Sequence, residues 1–300
     1  MKFVYVLVAD RYNAYCDMLY ISCRVAREMT DIGSIEVLLS RQAEKILTPH
    51  RFLFEKIGVR FTAVDTPDYK NLLDQSRHIK TQMRLLVDGE FLFCDVDTLP
   101  VNIFRRDLES CRSSDFAACR DRNFMRPYLY SPRYHADMFE TLGWAHPMPR
   151  YFNSGVIYWG DTAAAQDLCA AWHRDWHKTR ELGVSYDQPS LNRILNEHSD
   201  RYRLKTLPKC YNAMVDASPW LARKARILHF YTRNGMPRRN TVLFELINAY
   251  QATGAIDWSL VEQARSGGVW SEPPHLYEWL KGIGFLRRAL HIAKRKEIYP

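Results

Sequence analysis

Two uninterrupted apolar runs, residues 3–9 and 91–94, each stop at acid: Asp10 after the first, Asp95 and Asp97 after the second. A strand without polar alternation is buried on both faces, which requires a sheet covered on both sides. Residues 35–39 and 59–64 read as further strands, and residues 15–29 and 75–87 carry apolar side chains at helical intervals. Thr48 and Pro49 open, and Gly58 closes, a short helix between them. Alternating strands and helices predict a Rossmann-like, mostly parallel central sheet flanked by helices. Later segments continue the pattern: strands over 115–119, 154–159 and 226–231, and helices over 163–178 and 243–253. Ligands of such sheets bind beyond the carboxyl ends of the strands, where Asp10 and the Asp95/Asp97 pair fall.

The chain has 300 residues, 47% apolar and 13% aromatic, enough for a large core and too apolar for disorder. No run is long enough to span a bilayer. The opening MKFVYVLVAD is too short and too acidic at its end for a secretory signal, and reads as a first strand. Seven cysteines without CxxC spacing argue against a disulfide framework or a structural zinc site, and a reducing cytoplasm suits them. Of the formal charge of +8, about +5 lies in the last twenty residues. The expected division is a catalytic body over 1–255 and a basic helical extension over 256–300. In that extension Phe285, Leu286, Ala289, Leu290 and Ala293 recur at helical spacing. Two readings stand for it: a solvated helix docked by its apolar stripe, or an amphipathic helix on an anionic membrane surface. The body shows no basic stripe, which speaks against nucleic acid. Residues 120–150, rich in Arg, Tyr, Pro and Met, read as a lid or acceptor wall.

If the strand over 91–94 persists, Asp95 and Asp97 point to the same face and repel each other unless a proton or cation separates them. Three readings compete. The pair caps a turn and meets arginines. Or it is the nucleophile motif of a haloacid-dehalogenase-type phosphatase, but that wants Thr where Leu99 stands and lies near a chain start. Or it holds Mn²⁺ or Mg²⁺ for a nucleotide diphosphate, whose oxygens complete the metal's shell.

Four further stretches accompany FLFCDVDTLP: VADRYNAY near the start, RYFNSGVIYW (150–159), SYDQPSLNRIL (185–195) and ILHF (227–230). In that order they resemble the retaining family-eight glycosyltransferases, which include lipopolysaccharide galactosyl- and glucosyltransferases and glycogenin. The resemblance runs from about residue 3 to 235. It implies a type-A glycosyltransferase fold, a nucleotide-sugar donor, often UDP-linked, and a saccharide or lipid-linked saccharide acceptor. Metal ligation is then carried to Asp95, Asp97 and His229, with Asp95 also facing the donor. Asp10 and Tyr12 resemble base-binding residues, and Arg84 matches an arginine that faces the donor. Asn153 would bind sugar hydroxyls, Gly155 would let the backbone approach, and Asp187 and Gln188 would lie beside the reacting carbon. A basic tail would place such an enzyme in the cytoplasm, peripheral on the inner face of the membrane. A catalytically silent nucleotide-sugar or carbohydrate-binding protein of the same fold is the alternative.

The family's ending, His-x-x-Gly-x-x-Lys-Pro-Trp, is altered here: FYTRNGMPRR follows His229, with glycine at Gly235 and no lysine after it. Arg233, Arg238 or Arg239 would supply the missing charge. His173, Arg174 and Asp175 echo a kinase loop without its companions. His173 and His177, four apart, have zinc spacing but no HExxH, and read as surface or core. Ser154 lacks the GxSxG of a nucleophile elbow.

Overall fold

The computed structural model describes residues 1–103, 108–121, 138–144, 148, 150–215, 219–232 and 235–271. The expected apolar runs form β1 (Lys2–Leu7), β2 (Ser34–Ser40), β3 (Val59–Val64) and β4 (Phe91–Cys94), followed by a short β5 (Thr98–Pro100). Further on come β6 (Phe116–Arg120), β7 (Phe152–Trp159), β8 (Leu204–Leu207), β9 (Ala213–Met214) and β10 (Ile227–His229). Seven strands make the central sheet in the order β3-β2-β1-β4-β7-β6-β8, and β5-β10-β9 make a small second sheet. In the large sheet only the two pairings of β7 are antiparallel. The expected mostly parallel α/β sheet is therefore present, with one strand reversed.

The helices are α1 (Ala14–Met29), α2 (Arg41–Leu47), α3 (Arg51–Lys56), α4 (Leu72–Thr81), α5 (Met83–Leu86), α6 (Ala163–Glu181), α7 (Asp187–Glu197), α8 (Val242–Thr253) and α9 (Trp258–Arg265). The single helix expected over 75–87 is two, broken at Gln82, whose φ of −114° and ψ of 7° leave the helical region. Side chains alternate along β1: Phe3, Tyr5 and Leu7 join one core with Cys16, Leu19 and Cys23 of α1. Val4 and Val6 join the other, with Ile79 of α4, Leu168 and Trp172 of α6 and Leu191 of α7. A third cluster gathers Leu99, Leu228, Leu246 and Ile247 with Val261 and Ala264 of α9, so the described part of the stretch beyond residue 255 packs on the body.

All seven cysteines are free. Among the described residues no helix is long and apolar enough to cross a membrane. The lid or acceptor-wall reading of 120–150, the amphipathic-tail readings and Arg233 fall largely or wholly outside the described residues.

Candidate active site

β7's reversal decides what meets at the site. Its first residues, not its last, lie beside the carboxyl ends of β4 and β6, with Val156 opposite Cys94 and Phe152 opposite Arg120. An irregularity between Ala118 and Arg120 interrupts β6 before Asp121, as bulges often do beside functional sites. The small sheet supplies the remaining side. β5 follows the acidic pair directly, and His229 of β10 is its partner opposite Thr98.

Asp95, Asp97 and His229 converge: each offers a ligand atom within 4.8 Å of the others. The strand does not run through the pair as expected. It ends at Cys94, and a turn follows in which Thr98 N and Oγ1 donate to the Asp95 carbonyl at 3.1 and 2.7 Å. The turn still brings the carboxylates together. Asp97 Oδ1 lies 3.3 Å from His229 Nε2, and its Oδ2 accepts from Thr232 N and Oγ1, both at 3.0 Å. Burial alone would raise the Asp97 pKa, but His229 and the Thr232 donors hold it down to about 2. Burial likewise raises Asp95; Lys80 opposes that rise and Asp97 adds to it. His229 moves the other way: burial would lower it, and the two aspartates outweigh that and raise it.

A polar relay fixes the imidazole. His229 Nδ1 lies 2.8 Å from Asn212 Oδ1, and Asn212 Nδ2 donates to Asn153 Oδ1 at 2.7 Å. Asn153 Nδ2 donates to Asp121 Oδ2 at 3.0 Å, which also accepts from Gln188 Nε2 at 3.2 Å. Gln188 Oε1 in turn accepts from Ser154 N at 3.1 Å. With Asn212 Oδ1 accepting from Nδ1, Nε2 is the nitrogen turned toward the carboxylates, and it would offer its lone pair there once a cation takes the place of its proton. Gly155 is the cradle: a Cβ there would lie 2.4 Å from His229 Cε1 and 2.9 Å from Asn153 Oδ1.

Two cations line the α4 side. Lys80, buried, contacts Asp95 at 3.1 and 3.3 Å, Asp187 at 3.4 Å and Ser154 Oγ at 3.4 Å. Arg77 Nε lies 2.8 Å from Asp187 Oδ1. Asp187, at the start of α7, is buried; burial would raise its pKa, but Arg77 and Lys80 draw it down to about 2.

The remaining expected residues divide. Asp10 follows β1, the strand beside β4, and is exposed. Tyr12 has its hydroxyl on Asp17 at 2.7 Å, its ring near His50 and 40% of its surface open. Arg84 is a correction. Its guanidinium is buried, donates to the Val87 and Gly89 carbonyls at 2.7 and 2.6 Å and pairs with Asp161 at 2.5 Å. Those partners stand at the amino end of β4, so Arg84 does not face the site, and Arg77 and Lys80 do. Arg238 lies over the Trp270 ring, 5.1 Å from its centre.

Sequence reasoning missed Arg77, Lys80, Asp121, Asn212 and Thr232. Asp121 was within reach, because it follows a strand as Asp95 does. A buried lysine and an asparagine in a short turn leave no such signal.

The sequence pattern of the nucleotide-diphospho-sugar transferases matches residues 55–236, which include every one of these site residues except Asp10, Tyr12 and Arg238. The chain belongs to that family. It is a glycosyltransferase. The galactosyltransferase LgtC, solved with donor and acceptor sugar analogs, superposes with a TM-score of 0.55 at 16% identity, covering 92% of this chain and 99% of its own. Mouse xyloside xylosyltransferase 1, in its apo form, gives 0.52 at 11%, covering 79% of this chain and 100% of its own. The glycosyltransferase GlyE of Streptococcus pneumoniae TIGR4 gives 0.53 at 14%; the match spans 90% of this chain and 64% of GlyE. At these identities the likeness is one of fold. Among curated proteins none matches the chain.

Proposed function

We propose that this transferase moves a hexose from a UDP-linked donor to a saccharide hydroxyl with retention at the anomeric carbon, and that Asp95, Asp97 and His229 hold Mn²⁺ or Mg²⁺. The observation that carries the reading is the convergence of these three side chains against a glycine that leaves them room. Two carboxylates and one imidazole suit such a cation, with diphosphate oxygens filling the rest of its shell. When bound, the cation supplies positive charge for the diphosphate as it departs.

The chain's own groups do the remainder. Tyr12 stacks on the base, and Asp10 accepts from base or ribose. Asp121 orients the amides of Asn153 and Gln188 toward the sugar. A carboxamide is a poor nucleophile, so a covalent sugar on Gln188 is disfavoured. The acceptor instead attacks from the leaving group's side, its proton passes to the departing phosphate, and Gln188 Oε1 stabilises positive charge at the anomeric carbon. The resemblance to lipopolysaccharide transferases favours a lipid-linked acceptor, with the basic extension holding the enzyme at an anionic membrane surface.

Calorimetric titration with UDP and GDP, each with and without Mn²⁺, tests the reading. Metal-dependent binding of UDP, lost in Asp97→Asn, is expected. Equal binding by the variant, or no nucleotide binding under any condition, would overturn it.

A further inference from the structure

Among the described residues a second group of three ligands converges: His78, His173 and His177. His173 and His177 stand one turn apart on α6, and packing of α4 against it brings in a third imidazole that no sequence spacing announces. The three rings lie with centroids 4.6, 4.9 and 5.7 Å apart. One nitrogen from each lies within 4.8 Å of the other two. The Nε2 atoms of His173 and His177 are already 3.3 Å apart. That is the separation of two nitrogens each about 2.0–2.1 Å from one tetrahedral ion, roughly 3.3 Å.

The outer nitrogens of His173 and His78 are hydrogen-bonded, as those of metal-bound histidines are. His173 Nδ1 lies 2.7 Å from Thr81 Oγ1, whose own proton goes to the Arg77 carbonyl at 2.8 Å. The imidazole therefore donates through Nδ1, and its Nε2 lone pair faces His177. His78 Nδ1 is likewise held by Tyr69 OH at 2.9 Å. All three imidazoles are half-buried. Burial first, then the neighbouring histidines and Arg180, push His78 down to about 4. Burial and the other two histidines do the same to His173, while burial and Arg180 lower His177. The adverse charge is Arg180, which is occupied by Asp74 at 3.8 Å and by the Tyr69 ring at 5.0 Å.

We propose that His78, His173 and His177 bind one borderline divalent transition-metal ion, of which Zn²⁺ is the best fit, fastening α4 to α6. Three imidazoles without a carboxylate select Zn²⁺, Ni²⁺ or Cu²⁺ over the harder Mn²⁺ and Mg²⁺, which suit the aspartate pair. The site matters to the enzyme because of what else α4 carries. Arg77 and Lys80, on the neighbouring face of the same helix, contact Asp187 and Asp95. An ion on the histidines fixes the helix that presents those two cations.

The test uses full-length protein stripped with a chelator and titrated with Zn²⁺ alone and in excess Mn²⁺, as wild type, His78→Gln, His177→Gln and Asp97→Asn. One equivalent of Zn²⁺ is expected to bind in both conditions. It should survive in Asp97→Asn and weaken more than about tenfold in each histidine variant. Zn²⁺ should raise the Tm of wild type by a few degrees and leave the histidine variants unmoved. Circular dichroism under chelator confirms that the variants fold, and two variants on different helices keep the test available should one fail. Binding that is equal in the histidine variants, lost in Asp97→Asn, or absent altogether overturns the proposal.

Discussion

The buried ammonium of Lys80 straddles both carboxylate oxygens of Asp95, at 3.1 and 3.3 Å. It also contacts Asp187 at 3.4 Å, so its removal leaves the buried Asp187 and the half-buried Asp95 each short of a partner. Lys80→Met is expected to cost about 3 kcal/mol in urea unfolding. The same change removes a positive charge beside the proposed metal ligands, so Mn²⁺ should stabilise the variant more than it stabilises wild type. Equal Mn²⁺ stabilisation in both would show that Lys80 does not act on that position.

Gly155→Ala places a methyl 2.4 Å from a ring that Asn212 and Asp97 hold on both sides. Overpacking of this kind costs about 1–3 kcal/mol. The expected outcome is a folded protein with weakened Mn²⁺-dependent UDP binding, read by calorimetry. Undiminished binding would mean that the imidazole yields freely.

Asn212 touches the proposed ion only through His229. Asn212→Ala frees the ring and removes the acceptor that sets its tautomer, which in metal sites costs ten- to about a hundredfold in affinity. The loss should appear in the Mn²⁺ titration, with nucleotide binding in the absence of metal unchanged. A shift in the metal-free titration instead would assign Asn212 to the nucleotide.

Asp187 gives a pH signature. Its folded pKa of about 2 lies below the usual carboxylate value near 4, so its contribution to stability is complete above that value and is lost as pH falls toward 2. The contribution is about 2 kcal/mol near neutrality. The difference in unfolding free energy between wild type and Asp187→Asn should approach that figure at pH 7 and shrink toward zero near pH 2. A difference independent of pH would mean that the charge of Asp187 is not what matters.

Arg84 and Arg77 form a contrasting pair. Arg84→Met should lower stability by roughly 2–4 kcal/mol, since two backbone carbonyls and Asp161 lose their donor, and leave UDP affinity unchanged. Arg77→Met should weaken UDP binding by more than about tenfold, since it frees Asp187 beside the site. The reverse pattern would return Arg84 to the donor.

That pair also shows how far sequence reasoning reached. Seven residues apart, Arg77 and Arg84 share a face of any straight helix, so nothing in the pattern over 75–87 separates them. The break at Gln82 does, and a break without Pro or Gly is invisible in advance. The strands before Asp10 and Asp95 were legible because burial on both faces leaves an unbroken apolar run. The two-residue strand β9 and the three-residue strand β5 are too short to leave a periodicity. His229 was found through resemblance. Its anchor Asn212 and the third histidine His78 were not, because they depend on which elements pack together. His173 and His177 were set aside for want of a motif, although the partner they needed lay about a hundred residues upstream.

The reversed strand has one more consequence. The chain leaves the site at Asp121 and re-enters it at Phe152, and a backbone hydrogen bond from Asp121 N to Tyr151 O at 2.8 Å ties the two ends together. The described residues of the excursion between them are seated on the body, where Met138, Phe139, Leu142 and Met148 pack with Tyr151 and Val184. Displacing Tyr151 would therefore shift Asp121, and with it the amides of Asn153 and Gln188 that Asp121 holds.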